Sequence, residues 1–188
     1  MNELLKQARS CTTCTLPHGP RPVFQAHPKA SVLVIGQAPG RRVHASGVPW
    51  DDDSGERLRD WLGLDAPTFY SESVALLPMG FCYPGKGESG DRPPKPECAP
   101  TWHPPLLAAM PKVRITVLAG MYAQKHYLGR RREKTLTDTV KRWRDYEPML
   151  PTPHPAWRAR MFLSRNPWFA ETLLPELKRR VAEALCSP

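Results

Sequence analysis

Three short segments of the sequence hold the side chains best suited to chemistry: GQAPG (36–40), PWDDD (49–53) and TPHPAWRAR (152–160). A glycine turn lets a ligand approach the backbone closely, and its amides can bind an anion or a carbonyl oxygen. Adjacent carboxylates suit a general base or an electrostatic stabiliser, although they also cap helices. A neutral imidazole can donate a hydrogen bond to a developing oxyanion. The three segments therefore contain the parts of an active site.

Among the single residues, His154 is the strongest candidate. Pro153 and Pro155 restrict the backbone on both sides of it and would fix the position of the imidazole. Trp50 has two interpretations, a platform on which a nucleobase stacks or a tryptophan of the core. His44 is a weaker candidate than His154, since nothing in its surroundings restrains it in the same way.

The charge of the chain indicates an anionic partner. The net charge is +9 and the isoelectric point is about 9.6, which favours nucleic acid, with a merely solubilising basic surface as the alternative. Four arginines near the candidate segments are predicted to contact phosphates: Arg41, Arg42, Arg158 and Arg160. The stretches GRRREK (129–134) and KRWR (141–144) add positive charge.

The five cysteines of the chain need an explanation other than disulfides. No apolar run is long enough to span a membrane and the first residues lack a signal-peptide pattern, so we expect a cytoplasmic protein. Cys11 and Cys14 form a CxxC pair, and Cys82 and Cys98 form a wider second pair. Four thiolates suit zinc or an iron–sulfur cluster, and unrelated buried cysteines are the alternative. Cys186 is expected to take no part.

Alternating strand and helix patterns must position these residues. Strands are predicted at 31–36, 73–79, 113–120 and 149–155. Helices are predicted at 2–9, at 54–64 with Ser54 as N-cap, at 104–110 with two prolines at its start, at 121–129, at 135–143 and at 166–185. The alternation predicts a three-layer α/β/α fold with a central, mainly parallel four-stranded sheet, in one domain over 1–188 with an N-terminal cluster-binding segment. Ligands of such folds bind beyond the carboxyl ends of the strands, where the three candidate segments begin.

Taken in order, the motifs resemble the uracil-DNA glycosylase superfamily, in particular its iron–sulfur members. GQAPG resembles the GEAPG of that group, and HPAWR (154–158) resembles its HPS loop. GVPWDDDSGERL (47–58) resembles GxPFxGxxGxLL, with Trp50 where the base-stacking phenylalanine stands. The segment 82–98 resembles the one that carries the last two cluster ligands. The resemblance implies a structural [4Fe-4S] cluster on Cys11, Cys14, Cys82 and Cys98.

The same resemblance implies a reaction, the hydrolysis of the N-glycosidic bond of a flipped, damaged or modified DNA base during base-excision repair. His154 would stabilise negative charge on the base oxygen, Trp50 would stack on the base, and Arg158 or a neighbour would enter the duplex. The surroundings of the base are expected to come from Gly36, Gln37, Ala38, Pro39, Gly40 and Met79. The protein is expected to act as a monomer on duplex or single-stranded DNA.

Two departures from the family pattern affect the expected chemistry. Gln37 stands where the family has an acid, and a neutral amide cannot act as a base, so Asp53, followed by Asp52, is predicted to activate water or stabilise the sugar cation. Gln37 stays a candidate catalytic residue by its position. Pro78 stands where an asparagine reads uracil, so hypoxanthine or a modified cytosine is an alternative substrate. A non-catalytic iron–sulfur nucleic-acid-binding protein and a zinc nuclease are the other functions compatible with the sequence.

Overall fold

A four-stranded sheet forms the centre of the protein in a computed structural model, which describes residues 1–186. The strand order is β2-β1-β5-β6, and each neighbouring pair is parallel. The strands are β1 (Val32–Gly36), β2 (Val74–Pro78), β5 (Ile115–Ala119) and β6 (Met149–Thr152), with a separate hairpin of β3 (Lys86–Gly87) and β4 (Gly90–Asp91). The predicted α/β fold with a parallel sheet is confirmed.

Nine α-helices are found within the described residues. They are α1 (Asn2–Arg9), α2 (Arg41–Ser46), α3 (Asp53–Leu62), α4 (Ala66–Phe69), α5 (Cys98–Ala108), α6 (Met121–Leu128), α7 (Leu136–Lys141), α8 (Ala159–Arg165) and α9 (Leu174–Cys186). Short 3-10 turns follow α6 and α7, and a π-helical turn (Phe169–Leu173) leads into α9. None of the helices within residues 1–186 is both long and apolar enough to cross a membrane.

The sheet is buried on both faces, which explains why its strands are apolar runs without alternation. Every residue of β1 and β2 is buried. Leu58, Trp61 and Leu177 pack with Val34 on one face, and Leu106 packs with the opposite face. Because all strands are parallel, their carboxyl ends meet at one edge of the sheet. The loops that carry the three candidate segments therefore begin at a common edge.

Two helix starts differ from the sequence prediction. The N-cap of α3 is Asp52, whose side chain accepts a hydrogen bond from the backbone N–H of Gly55, and Ser54 lies inside the first turn. Helix α5 begins at Cys98, so Pro104 and Pro105 lie in its interior. An interior proline costs a helix about 3 kcal/mol, which burial of the apolar face of α5 offsets here.

Candidate active site

A pocket at the carboxyl edge of the sheet brings together most of the predicted site residues. It has a volume of about 40 Å³ and is lined by Val23, Gly36, Gln37, Ala38, Pro39, Gly40, Val43, Pro49, Trp50, Asp52, Pro78 and His154. Sequence reasoning missed Val23, Val43 and Pro49 as lining residues, because apolar residues in loops have no distinctive spacing. The three segments that are far apart in sequence thus share one small cavity.

The GQAPG loop forms the floor of this pocket and is held by the chain that follows β2. The N–H of Met79 donates to the carbonyl of Gly36, and the N–H of Gly80 donates to the carbonyl of Gln37, both at 3.0 Å. These bonds extend the pairing of β1 and β2 past the last strand residues. The loop is therefore held in place as a backbone surface against which a ligand can lie.

Trp50 covers one side of the pocket in a constrained position. Its φ of 59° lies in the left-handed region, which a bulky residue rarely adopts. Its ring stacks on His154 with 5.5 Å between the ring centroids. A Cβ at Gly36 would lie 2.6 Å from the indole, and one at Gly55 would lie 1.7 Å from the carbonyl oxygen of Trp50. Glycine at both positions is therefore what allows the indole to lie here.

The adjacent aspartates at the start of α3 have different surroundings. Asp52 lines the pocket, and its Oδ1 accepts from the N–H of Gly55 at 2.9 Å. The Asp53 side chain is 83 % exposed and its Oδ1 pairs with Arg42 at 2.7 Å. Asp53 is not among the lining residues. Asp52, the second choice from the sequence, therefore lines the pocket, whereas Asp53 faces solvent.

His154 is a neutral imidazole at neutral pH. Its ring opens to the pocket, but the surrounding protein desolvates it and lowers its pKa to about 4, while the nearby Asp52 carboxylate acts in the opposite direction. A neutral imidazole donates a hydrogen bond from one nitrogen without adding a charge to the pocket. That state suits the stabilisation of a developing oxyanion.

The wall of the pocket that is formed by the end of β2 is supported by a hydrogen bond to His103 on its buried side. Burial lowers the pKa of His103 to about 4, so only one ring nitrogen carries a proton. The partner of Nε2, at 3.0 Å, is the carbonyl oxygen of Pro78, which can only accept. Nδ1 therefore accepts from the hydroxyl of Tyr127 at 2.6 Å. Pro78 has no N–H, and its carbonyl is used in this bond.

A larger groove of about 550 Å³ opens from the pocket toward solvent. Gln37, Asp52 and His154 line both cavities. The β3–β4 hairpin and the segment 153–159 form opposite sides of the groove. The hairpin was not predicted, since its strands are two residues each. Trp157 is 67 % exposed beside this groove, and the Arg158 guanidinium lies 5.1 Å from its ring centroid.

The remaining predicted residues lie outside the pocket lining. Met79 is buried and packs in the core, because its side chain points away from the cavity that its neighbour Pro78 lines. Arg41, Arg42 and Arg160 are exposed. His44 lies near the rings of His18 and Tyr83, and its buried Nδ1 has no hydrogen-bond partner among the described residues.

The four cysteines of the two pairs line a second cavity, whose wall also includes Phe81 and Trp102. Cys98 is the first residue of α5, and its Sγ accepts from the N–H of Phe81 at 3.3 Å. The Cys14 thiol donates to a carboxylate oxygen of Glu97 at 3.5 Å. Burial raises the pKa of Cys82 to about 11 and that of Cys98 to about 12. Cys186 is exposed and does not line this cavity.

The four cysteines line one cavity, but their side chains do not have the arrangement of ligands around a single metal ion. Zinc would draw its sulfur ligands to about 2.3 Å from a common centre. Within residues 1–186, no group of three or more His, Cys, Asp or Glu side chains has an arrangement that could hold a metal ion. A polynuclear cluster needs its four thiolates further apart, around a cage.

A comparison with protein-family models gives a match over most of the chain. The model of the family described as the uracil DNA glycosylase superfamily matches residues 23–178. The matched range contains every residue that lines the pocket, together with Cys82 and Cys98. Cys11 and Cys14 precede it.

Proposed function

The chain belongs to the uracil DNA glycosylase superfamily, and on that premise we propose that it hydrolyses the N-glycosidic bond of a flipped, damaged or modified base and leaves an abasic site. Membership in the superfamily indicates a DNA glycosylase in general. The observation that carries the more specific proposal is the meeting of Trp50, Asp52 and His154 in one pocket at the carboxyl edge of the sheet. These residues supply a stacking surface, a carboxylate and a hydrogen-bond donor.

The base is held between the GQAPG backbone and Trp50. Extrusion from the duplex costs a few kcal/mol, which base–aromatic stacking of about 1–3 kcal/mol offsets in part. As the glycosidic bond breaks, its electrons move onto the base, and negative charge grows on a base oxygen. His154 donates its N–H to that oxygen. Loss of one such donor costs about 100–1000-fold in kcat in enzymes that stabilise oxyanions.

Water is the nucleophile, and Asp52 is the residue placed to act on it. The water oxygen forms a bond to C1′ of the sugar while the bond from C1′ to the base nitrogen breaks. Asp52 accepts the proton of the water and stabilises positive charge on the sugar. The proton is then released to solvent or to the departing base, so that the products are the free base and an abasic site.

The lining of the pocket favours hydrolysis over a lyase reaction. A lyase needs an amine that forms a covalent imine with the sugar. Among the described residues no lysine lines the pocket itself, and Lys86 lies in the groove outside it. This composition supports a monofunctional glycosylase.

Trp157 and Arg158 are proposed to replace the flipped nucleotide in the duplex. Both residues are exposed at the groove, and the guanidinium is held against the indole ring. An exposed aromatic ring beside a cation can fill the stack and contact a phosphate together. Sequence reasoning named Arg158 and missed Trp157, whose exposure only the structure reveals.

The wall at Pro78 supports a base other than uracil as the substrate. Uracil recognition requires a group that pairs with its N3–H and O4, and Pro78 has neither a side-chain donor nor an N–H. Its carbonyl is bound to His103. We therefore propose a substrate such as hypoxanthine or a modified cytosine, which does not depend on an asparagine at this wall.

A [4Fe-4S] cluster is proposed for the cysteine-lined cavity. The donor set fits, because four thiols surround one space and Cys98 receives a backbone N–H bond of the kind found at cluster ligands. When bound, the cluster would supply structural cross-linking and no step of the hydrolysis. It would join the segment after α1, the loop after β2 and the start of α5.

The test is a substrate panel. Purified protein is incubated with duplexes and single strands that contain uracil, hypoxanthine, xanthine or modified cytosines, and alkali then cleaves the abasic sites. We expect cleavage for at least one base and a loss of about 100-fold or more in His154→Gln. Tight binding with no cleavage on any substrate would instead indicate a non-catalytic DNA-binding protein.

A further inference from the structure

A basic segment lies outside the active site. Residues 129–146 contain seven Lys and Arg residues and three Asp and Glu residues, a net charge of +4, out of +9 for the whole chain. The segment runs from the end of α6 through α7 to the 3-10 turn before β6. We call four of its exposed cations, Arg130, Lys134, Lys141 and Arg144, the amino-edge patch.

The amino-edge patch lies at the end of the sheet opposite to the pocket. Arg131 donates to the carbonyl of Asp145 at 2.8 Å, a few residues before β6 begins at Met149. His154 follows the other end of the same strand. The four residues of β6 separate the two places by about 13 Å or more, which exceeds the Debye length at physiological ionic strength. Because the two places are more than one Debye length apart, the charge of the patch adds little to the binding of DNA at the pocket.

The acids of the segment balance only part of its positive charge. Arg142 pairs with Glu133 at 2.6 Å and with Asp145 at 2.7 Å. Asp138 accepts from the hydroxyl of Thr135 at 2.6 Å. Within residues 1–186, the side chains of Arg130, Lys134 and Lys141 form no hydrogen bond or ion pair with the protein. The patch therefore presents net positive charge to solvent.

Part of the patch is also held in place. The guanidinium of Arg144 lies 4.1 Å from the ring centroid of Trp143, and that of Arg131, which adjoins the patch, lies 5.7 Å from the ring centroid of Tyr146. Both rings are buried, so they fix the stacked cations. An arginine that is already ordered loses less entropy when it binds a phosphate.

We propose that the amino-edge patch binds the phosphate backbone of a second DNA segment, so that one molecule holds two segments at once. The choice of DNA rests on the proposed function. A membrane surface fits less well, because interfacial binding requires apolar side chains that insert. The exposed large apolar residues of the described chain are Val48, Met121, Trp157 and Met161, and all lie outside the segment.

The first test is the salt dependence of binding to undamaged duplex. In the triple variant Arg130→Gln/Lys134→Gln/Lys141→Gln, the slope of log K against log salt at the second site should become shallower by about 2.7, since each phosphate contact contributes about 0.9. The control variant Lys6→Gln/Lys125→Gln/Lys178→Gln loses the same charge from three exposed positions elsewhere. An equal effect in both variants would mean that only net charge matters and would overturn the proposal.

The second test is bridging. A biotinylated duplex on beads is saturated with protein and washed, and capture of a free fluorescent duplex is measured. We expect capture by the wild type and by the control variant, and a loss of capture of about 10-fold or more in the patch variant, whose base excision stays unchanged. Two outcomes would overturn the proposal. The first is equal capture by the patch variant, which a dimer with two pockets would give. The second is binding to anionic phospholipid vesicles that depends on the patch, without capture of the free duplex. Bridging by a protein that excises no base would refute the proposed function and leave this inference standing.

Discussion

At the residue scale, the pocket depends on small differences between neighbouring side chains. Asp52 and Asp53 are adjacent in sequence, yet one lines the pocket and the other is exposed and paired with Arg42. Successive residues at a helix start point about 100° apart, so only one of them can face the cavity. The role of each carboxylate follows from this orientation, and it can be tested by neutralising them one at a time.

We expect Asp52→Asn to lower kcat by about 100-fold or more, because it removes the base near the water. Asparagine is as good an N-cap as aspartate, so the stability of α3 should change little. Asp53→Asn is the matched control. It removes an exposed ion pair worth about 0–1 kcal/mol and should retain activity. Single-turnover rates measure both, and a larger loss in Asp53→Asn would restore Asp53 as the catalytic carboxylate.

Gly36→Ala should reduce base binding through Trp50. The new methyl group would meet the indole at 2.6 Å and displace the ring from its place on His154. Trp50→Phe shortens the ring and should keep most of the stacking energy. The double variant should then regain activity relative to Gly36→Ala alone, a non-additivity that double-mutant kinetics measure. Additive losses would show that the contact between Gly36 and Trp50 does not govern activity.

At the element scale, His103 joins three parts of the fold. It lies on α5, binds the carbonyl of Pro78 at the end of β2 and accepts from Tyr127 on α6. Its interior position also accounts for the early start of α5, because Ala99, His103 and Leu106 form the buried face of the helix. The wall of the pocket is therefore supported by helix packing behind it.

The buried His103 should make the protein sensitive to acid. Its folded pKa is about 4, against an ordinary value of 6.5, so the unfolded state binds more protons between these values. The free energy of unfolding should fall as pH decreases from 6.5 toward 4, by about 2 kcal/mol from this residue at about pH 5. The side chain in His103→Gln can still donate to the carbonyl of Pro78. On acidification, the free energy of unfolding of this variant should therefore fall by about 2 kcal/mol less than that of the wild type.

Urea unfolding at about pH 7.5 and about pH 5 measures this difference. His18→Gln, at an exposed position whose ring contacts are His44 and Tyr83 rather than His103, is the control and should keep the acid sensitivity of the wild type. The same acid sensitivity in His103→Gln would show that His103 is protonated in the folded state.

At the scale of the whole molecule, the two ends of the sheet have different surfaces. The carboxyl edge holds the pocket, the groove and exposed Trp157, whereas the amino edge holds the basic segment 129–146. The cysteine-lined cavity joins the N-terminal segment to the loop after β2 and to α5. A cluster in that cavity would cross-link regions that are distant in sequence.

Cys82→Ser should therefore lose iron and broad visible absorption and should lower Tm, because the cluster needs its full set of thiolates. The wild type should contain about four iron atoms per chain. Cys186→Ser, which changes the exposed cysteine of α9, should keep the iron content, colour and Tm of the wild type. Iron analysis and thermal unfolding measure these changes. A wild-type protein with bound zinc and no iron would contradict the proposed cluster.

The sequence by itself determined the parallel sheet, the three candidate loops at its carboxyl edge and the four cysteines that share a cavity. Apolar runs, glycine turns and the CxxC pair are local signals, because each depends on residues close together in the chain. Only the tertiary structure decided that Asp52 and not Asp53 lines the pocket, that Met79 lies in the core and that α5 starts at Cys98. It also decided that the stretches GRRREK and KRWR lie away from the pocket. These properties depend on the direction of a side chain and on packing between distant elements, which the spacing of residues along the chain does not encode.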